Sequence, residues 1–183
     1  MSEKRAVLMV CLGNICRSPI AEAVLQHLIN EAGISSKWTV DSAAVAAYHI
    51  GKKPDRRALE TLAKHNVPYN NTARQVKKSD FEEFDYIFGM DNENISDLES
   101  IAPKNCKAKI GLLGAYDPQK ELIIRDPYYG NAQKIDLKLE KYYAVFYDVG
   151  WFIGRIVQAG EYIKLKFLKE DLGRYLWRRK EDL

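Results

Sequence analysis

The sequence predicts an α/β fold. It should have three αβα layers around a four-stranded, parallel, twisted sheet, with an anion-binding (phosphate-type) loop after the first strand. Three observations predict this. Short apolar runs alternate with stretches of helical periodicity from Ala6 to Leu113, the pattern of a parallel sheet with crossover helices. The first run, Ala6-Val7-Leu8-Met9-Val10, is apolar on both faces, as suits a strand covered by helices on both sides. Cys11, Gly13 and Arg17 then lead straight into Ser18-Pro19, a helix start. A loop between a strand end and a helix N-terminus lets backbone N–H groups converge on an anion.

Taken in order, Ser18 reads as the N-cap of the first helix and Pro19 as its first helical residue. Ile20, Ala21, Ala23, Val24, Leu25, Leu28 and Ile29 are spaced to bury one face, and Gly33 ends the helix. Trp38-Thr39-Val40 is the second strand, leading out through Asp41-Ser42-Ala43-Ala44. Residues 45–54, with Tyr48, His49, Gly51 and Pro54, form a loop. Ala58, Leu59 and Leu62 place a second helix from about Asp55 to His65, and 73–76 is a short extended piece. Ser79-Asp80-Phe81-Glu82 has the capping-box pattern of a brief helix. Residues 85–90 are the third strand, a helix follows Asp91 to about Ile101, and 107–113 are the fourth strand. A long loop runs from Gly114 to Asn131, and loops of that length in a compact domain are often functional. Helical spacing returns at Tyr142, Val145, Val149, Phe152 and Ile156, and again at Leu165, Leu168, Leu172 and Leu176. The expected organisation is one domain over 1–160 and a basic amphipathic extension over 161–183.

Composition narrows the class. At 183 residues, with 46% hydrophobic and 29% charged residues, the chain can bury a sizeable core. The net charge of +3 is too mild to argue for nucleic acid. Three cysteines, Cys11, Cys16 and Cys106, make no disulfide framework. The N-terminus does not read as a signal peptide, and no uncharged apolar run reaches the ~18 residues of a membrane span. A reducing, cytoplasmic setting is the expectation, and a thiolate requires one.

A free cysteine is most often a small buried hydrophobe. The setting of Cys11 argues for more, because loop amides, the helix terminus and Arg17 would all stabilise its thiolate. Arg17 reads either as a solvated arginine or as a planar fork for two phosphate oxygens. Gly13 is a turn glycine, or one that keeps a Cβ away from an anion. Asn14 suits a left-handed backbone and its side chain can brace the loop. Ser18 can donate to the thiolate. Asp126, before Pro127, is by itself a turn former. His27, His49 and His65 read as surface or structural residues, and Cys106 as a structural thiol.

Cys11-Leu12-Gly13-Asn14-Ile15-Cys16-Arg17-Ser18-Pro19 resembles the signature loop of the low-molecular-weight protein tyrosine phosphatases, and Asp126-Pro127-Tyr128-Tyr129-Gly130 resembles their general-acid loop. Residues 40–44, 84–87 and 116–120 are also similar, so the likeness runs over roughly residues 4–131. The resemblance implies that Cys11 is a nucleophile forming a phosphocysteine, that Arg17 binds the phosphoryl oxygens, and that Asp126 is the general acid. It implies that Cys16 is the redox partner of Cys11. Asn14, Ser18 and Ser42 would support the loop, while Leu12, Ile15, Tyr48, Tyr128 and Tyr129 would wall the pocket. Implied substrates are phosphotyrosine proteins and small aryl phosphates, with inorganic phosphate as product and no cofactor or metal. Two other classes compete. A non-catalytic phosphotyrosine-binding or scaffold protein would have no use for Cys11, Arg17 and Asp126 together. An arsenate reductase shares the loop but needs more relay thiols than Cys16 and Cys106.

Three departures stand out. Asn71 occupies a position where the family often has a histidine that braces the loop. Residues 45–47 and 49–53 differ beside the pocket, and His49, Lys52 and Lys53 there favour acidic flanks on a substrate. After Asn131 the chain diverges. Its extension, 161–183, carries seven basic and five acidic residues, and reads either as a packed or solvated helix or as one that docks a partner or an anionic membrane surface.

Overall fold

The computed structural model describes residues 4–117 and 121–127. The expectations for Tyr128, Tyr129, the helical stretch after Asn131 and the extension over 161–183 lie outside the described residues. Within them, strands β1 (Arg5–Cys11), β2 (Trp38–Ala44), β3 (Tyr86–Gly89) and β4 (Lys109–Leu112) form one sheet. Its order is β2-β1-β3-β4, with every neighbouring pair parallel. Helices α1 (Arg17–Glu31), α2 (Arg56–Lys64), α3 (Asp80–Glu83) and α4 (Asn92–Ile101) connect the strands.

Side chains alternate across a strand, so β1 feeds two cores. Val7 and Met9 pack with Ile20 and Val24 of α1 and Leu62 of α2. Leu8 and Val10 pack on the other face with Phe81 of α3 and Leu98 of α4. These are the three αβα layers, and they explain why β1 reads as an unbroken apolar run. The chain leaves β1 for β2 on one side and returns to β3 on the other. Cys11 therefore ends β1 where the strand order reverses, the usual ligand crevice of an open α/β sheet.

The helix ends correct the sequence reading in two places. α1 starts at Arg17 with Cys16 in the capping position and no side-chain cap, so Ser18 is not the N-cap. Its hydroxyl is taken by Cys11, as described below. Ser79 makes no capping bond either, so the expected capping box is not formed. Instead, Asp80 Oδ2 accepts from Lys77 N–H (2.8 Å) and from Arg74 Nη1 (2.9 Å), which closes the same turn from the next residue. With the start at Arg17, Pro19 is the third residue of α1 and not the first; the remaining end signals hold. Gly33 takes φ +67° after α1, Asp55 caps α2 through Arg57 N–H (2.9 Å), and Asp91 caps α4 through Asn94 N–H (2.8 Å). The extended piece at 73–76 meets the end of β2 through an isolated parallel bridge between Ala44 and Gln75.

The long loop after β4 folds back on itself. A Cβ on Gly114 would lie 2.4 Å from the Leu122 carbonyl oxygen and 2.5 Å from that of Glu121. Ile124 is buried in the first core, and its N–H bonds Met90 O at 2.8 Å, beyond the end of β3. This anchor carries Asp126 to the mouth of the Cys11 loop. Gly114→Ala must push backbone aside, so it should cost about 1–3 kcal/mol in denaturant unfolding. An unchanged midpoint would mean that the loop does not pack on Gly114.

Candidate active site

The loop from Cys11 to Arg17 is shaped by Asn14, whose φ of +52° is left-handed. Asparagine tolerates this conformation better than most residues. Asn14 N–H donates to Cys11 Sγ at 3.3 Å, and Ser18 Oγ lies 3.1 Å from the same sulfur. The side chain of Asn14 fixes the direction of that second contact. Its Nδ2 donates one proton to Ser18 Oγ (2.9 Å) and the other to Ser42 Oγ (2.8 Å), and its Oδ1 accepts from Arg74 N–H (3.0 Å). Ser18 therefore accepts from Asn14 and keeps its own proton for Cys11 Sγ. The competing acceptor, Ala43 O, is farther away at 3.4 Å.

Arg17 has only 2% of its side chain exposed. Its Nη1 bonds Asp91 Oδ2 (2.5 Å) and Ile124 O (3.1 Å), and its Nη2 bonds Asp126 Oδ2 (2.7 Å). The guanidinium thus ties together the loop, the α4 cap and the Asp126 segment. The structure brings Cys11, Arg17 and Asp126 to one cavity of about 280 Å³. The expected wall residues Leu12, Ile15 and Tyr48 line it, as do Cys16, Gly13 and His49.

One expectation changes here. His49 is not an idle surface residue: it lines the cavity. Its imidazole also explains Gly13, because a Cβ at that position would lie 2.9 Å from His49 Cδ2. A ring packed on the loop thus sets a steric limit at Gly13.

Cys11 and Cys16 are both buried and free, yet their surroundings differ. Cys11 receives the Ser18 hydroxyl and the Asn14 amide. The Cys16 thiol is pushed up to about 12, first by burial and then by the negative charges of Asp55, Cys11 and Asp126. It remains a thiol at neutral pH. Cys106 sits with the second core, against Phe81 O and Ala108 O, away from the loop.

Sequence reasoning missed three supports. Asp91 read only as the residue before a helix, yet one of its oxygens caps α4 while the other holds Arg17. Arg74 clamps Asp41 and Asp80 and supplies the N–H that orients Asn14. Glu22 lies in a run buried continuously from Arg17 to Leu25. A carboxylate inside that run was the signal that could have found it. Ser42 Oγ donates to Glu22 Oε2 at 2.6 Å, Tyr69 O–H donates to the same oxygen at 2.5 Å, and Asn71 Nδ2 donates to Oε1.

Burial raises the Glu22 pKa, with hydrogen bonds from Ser42, Tyr69 and Asn71 opposing and the nearby Asp41 charge adding to it. A raised acid favours the fold while protonated. That contribution is complete below the ordinary glutamate pKa and is lost as pH rises through the folded value. The stability difference between Glu22→Gln and the parent protein should therefore move in the variant's favour as pH rises from about 4 to 8. Parallel unfolding curves over that range would show that burial does not disfavour the carboxylate.

A cysteine, an arginine and an aspartate at one strand-end cavity of an open α/β sheet agree with the class to which sequence comparisons assign the chain, the protein tyrosine phosphatases, hydrolases of phosphate monoesters. The model of the low molecular weight phosphotyrosine protein phosphatase family matches residues 6–148. Over 129 residues the chain is 57% identical to the low molecular weight phosphotyrosine protein phosphatase of Homo sapiens, covering 69% of this chain and 82% of that protein. It is 54% identical over 141 residues to that of Gallus gallus, covering 76% and 89% respectively. A product-state mimic structure of a protein tyrosine phosphatase from Entamoeba histolytica superposes with a TM-score of 0.78 at 32% identity, covering 88% of this chain and 100% of that one. The chain belongs to the low molecular weight phosphotyrosine protein phosphatase family.

Proposed function

We propose that the protein hydrolyses phosphotyrosine and aryl phosphates in two steps through a phosphocysteine. The observation that carries this reading is one cavity in which Cys11 Sγ faces two donors while Arg17 is bonded to Asp126. In the first step the Cys11 thiolate attacks phosphorus, the P–O bond to the phenol breaks, and Asp126 gives its proton to the departing oxygen. In the second step Asp126 takes a proton from water as that water attacks phosphorus. The P–S bond breaks, inorganic phosphate leaves, and Ser18 O–H stabilises the departing thiolate. Loop amides and the Arg17 fork are suited to the charge on the three equatorial oxygens.

The test is hydrolysis of a chromogenic aryl phosphate at mildly acidic pH without added metal. Release of aryl alcohol by the parent protein but not by Cys11→Ser is expected. Phosphotyrosine-peptide binding without hydrolysis would instead identify a scaffold.

Cys16 extends the reading to redox control, since both thiols line one cavity. Peroxide oxidises Cys11 to the sulfenic acid; the Cys16 thiolate then attacks that sulfur, and the hydroxide that leaves takes a proton from solvent to become water as the disulfide closes. Because the Cys16 thiol is raised to about 12, closure should speed up about tenfold per pH unit through the neutral range. Closure independent of pH, followed by mass spectrometry, would refute this. The setting that keeps both thiols reduced is the cytoplasm, and among the described residues no helix is long and apolar enough to cross a membrane. The 161–183 extension is proposed to dock a partner or an anionic membrane surface, so its deletion should change localisation and leave aryl phosphate turnover intact.

A further inference from the structure

The geometry points to Glu22 as a positioning residue whose ionisation sets the direction of the hydrogen bonds that end on Cys11. This inference rests on Cys11 being the nucleophile. Each link follows from a proton count. Ionised Glu22 can only accept, and it accepts from Ser42, Tyr69 and Asn71. With its proton committed to Glu22, Ser42 Oγ can only accept, and its partner is Asn14 Nδ2. That contact holds the Asn14 amide with its nitrogen inward, and Arg74 N–H on Oδ1 agrees with it. The second Nδ2 proton then occupies Ser18 Oγ, which leaves the Ser18 proton for Cys11 Sγ. Five side chains from α1, β2 and the loop thus carry one directed chain from a buried carboxylate to the sulfur.

Protonated Glu22 reverses the first link. Its O–H becomes a donor that can occupy Ser42 Oγ, which then competes with Asn14 for the same lone pairs. The order is imposed above the ionisation of Glu22 and relaxed below it. The surroundings make this ionisation sensitive. Among the described residues no lysine, arginine or histidine pairs with Glu22, and its three donors are neutral. The charge that acts on it is Asp41 of β2, which is itself bonded to Arg74 Nη2 at 2.8 Å. Tyr69 and Asn71 are the remaining polar groups on it. Burial raises the ionisation of this carboxyl above that of an exposed glutamate, which brings the switch toward working pH.

The substitution that reports the switch with least disturbance is at Asn71, an exposed residue bonded to Glu22 Oε1. Asn71→His adds a group that becomes cationic and should move the inflection to lower pH. Asn71→Asp adds a like charge and should move it to higher pH. Glu22→Gln should remove it. The experiment follows alkylation of Cys11 by iodoacetamide against pH, read on the Cys11 peptide by mass spectrometry, beside kcat and KM for an aryl phosphate with a good leaving group. Alkylation in the parent protein should fall as pH drops through the Glu22 step. In Glu22→Gln, kcat should drop about 3- to 10-fold, the worth of one ordinary hydrogen bond, with KM within about twofold. Identical alkylation profiles in all four proteins would overturn the inference, as would shifts of the same sign in the two Asn71 variants. If Glu22→Gln does not fold, the opposed Asn71 shifts still decide the matter. If the parent protein hydrolyses nothing while the alkylation profiles move as stated, the proposed function fails and the positioning role stands.

Discussion

Cys11→Ser is expected to lower kcat on aryl phosphates by at least about 10⁴-fold while inorganic phosphate still binds, because the proposed two-step route needs a covalent nucleophile that the variant lacks. The substitution changes one atom, and the two groups that touch that sulfur, Asn14 N–H and Ser18 Oγ, are also held by other partners. Asn14 is held by Ser18, Ser42 and Arg74, and Arg17 by Asp91, Ile124 and Asp126. The anion site should therefore persist, and calorimetric titration with phosphate would measure it. Chemistry is lost because two neutral donors, Ser18 and Asn14, cannot bring a serine hydroxyl to the alkoxide near neutral pH. Cys16 cannot substitute. Its thiol is raised to about 12 by burial and by the charges of Asp55, Cys11 and Asp126. Appreciable turnover by the serine variant would remove Cys11 from the mechanism. Loss of phosphate binding along with turnover would mean that the sulfur itself holds the loop.

What was legible in the sequence is what has a short period. β1 announced itself by being apolar on both faces, and the two cores on those faces are the reason. Asn14 announced its left-handed backbone, Gly33 and Asp55 their helix ends, and the spacing from Cys11 to Arg17 the loop. The errors lie where one side chain had two competing uses. Ser18 and Ser79 have the right type and position for caps, but Ser18 spends its hydroxyl on Cys11, and the turn at Ser79 is closed by Asp80. The misses lie where the partner is distant in sequence. Arg17 meets Asp91, Glu22 meets Ser42 and Asn71, and Arg74 meets Asn14. No local pattern encodes those pairs; the sheet order does, by closing loops that leave several strands at one end. His49 belongs with them, since its contact with Gly13 depends on how the loop after β2 folds over the one after β1.

Asp126→Ala should separate the proton from the rest of the chemistry. For an unactivated phenyl phosphate kcat should fall by about 10²–10⁴, the usual contribution of a general acid. For an ester whose leaving group is strongly electron-poor, the fall should stay below about tenfold, because that oxygen departs without help. A plot of log kcat against leaving-group acidity should therefore steepen in the variant. Asp126 also bonds Arg17 at 2.7 Å, so alanine removes a partner of that guanidinium as well as the proposed acid. Asp126→Asn resolves the two roles. Its amide oxygen can still accept from Arg17, but it has no proton to give. If the acid role dominates, both variants show the same steep dependence on the leaving group. If the Arg17 contact dominates, asparagine restores most of the rate and alanine loses it equally for all esters. Asp91 makes the first outcome the expected one. Its carboxylate holds Arg17 Nη1 at 2.5 Å, so the guanidinium stays anchored when Asp126 is gone. A uniform loss across all leaving groups in both variants would take the general-acid role away from Asp126.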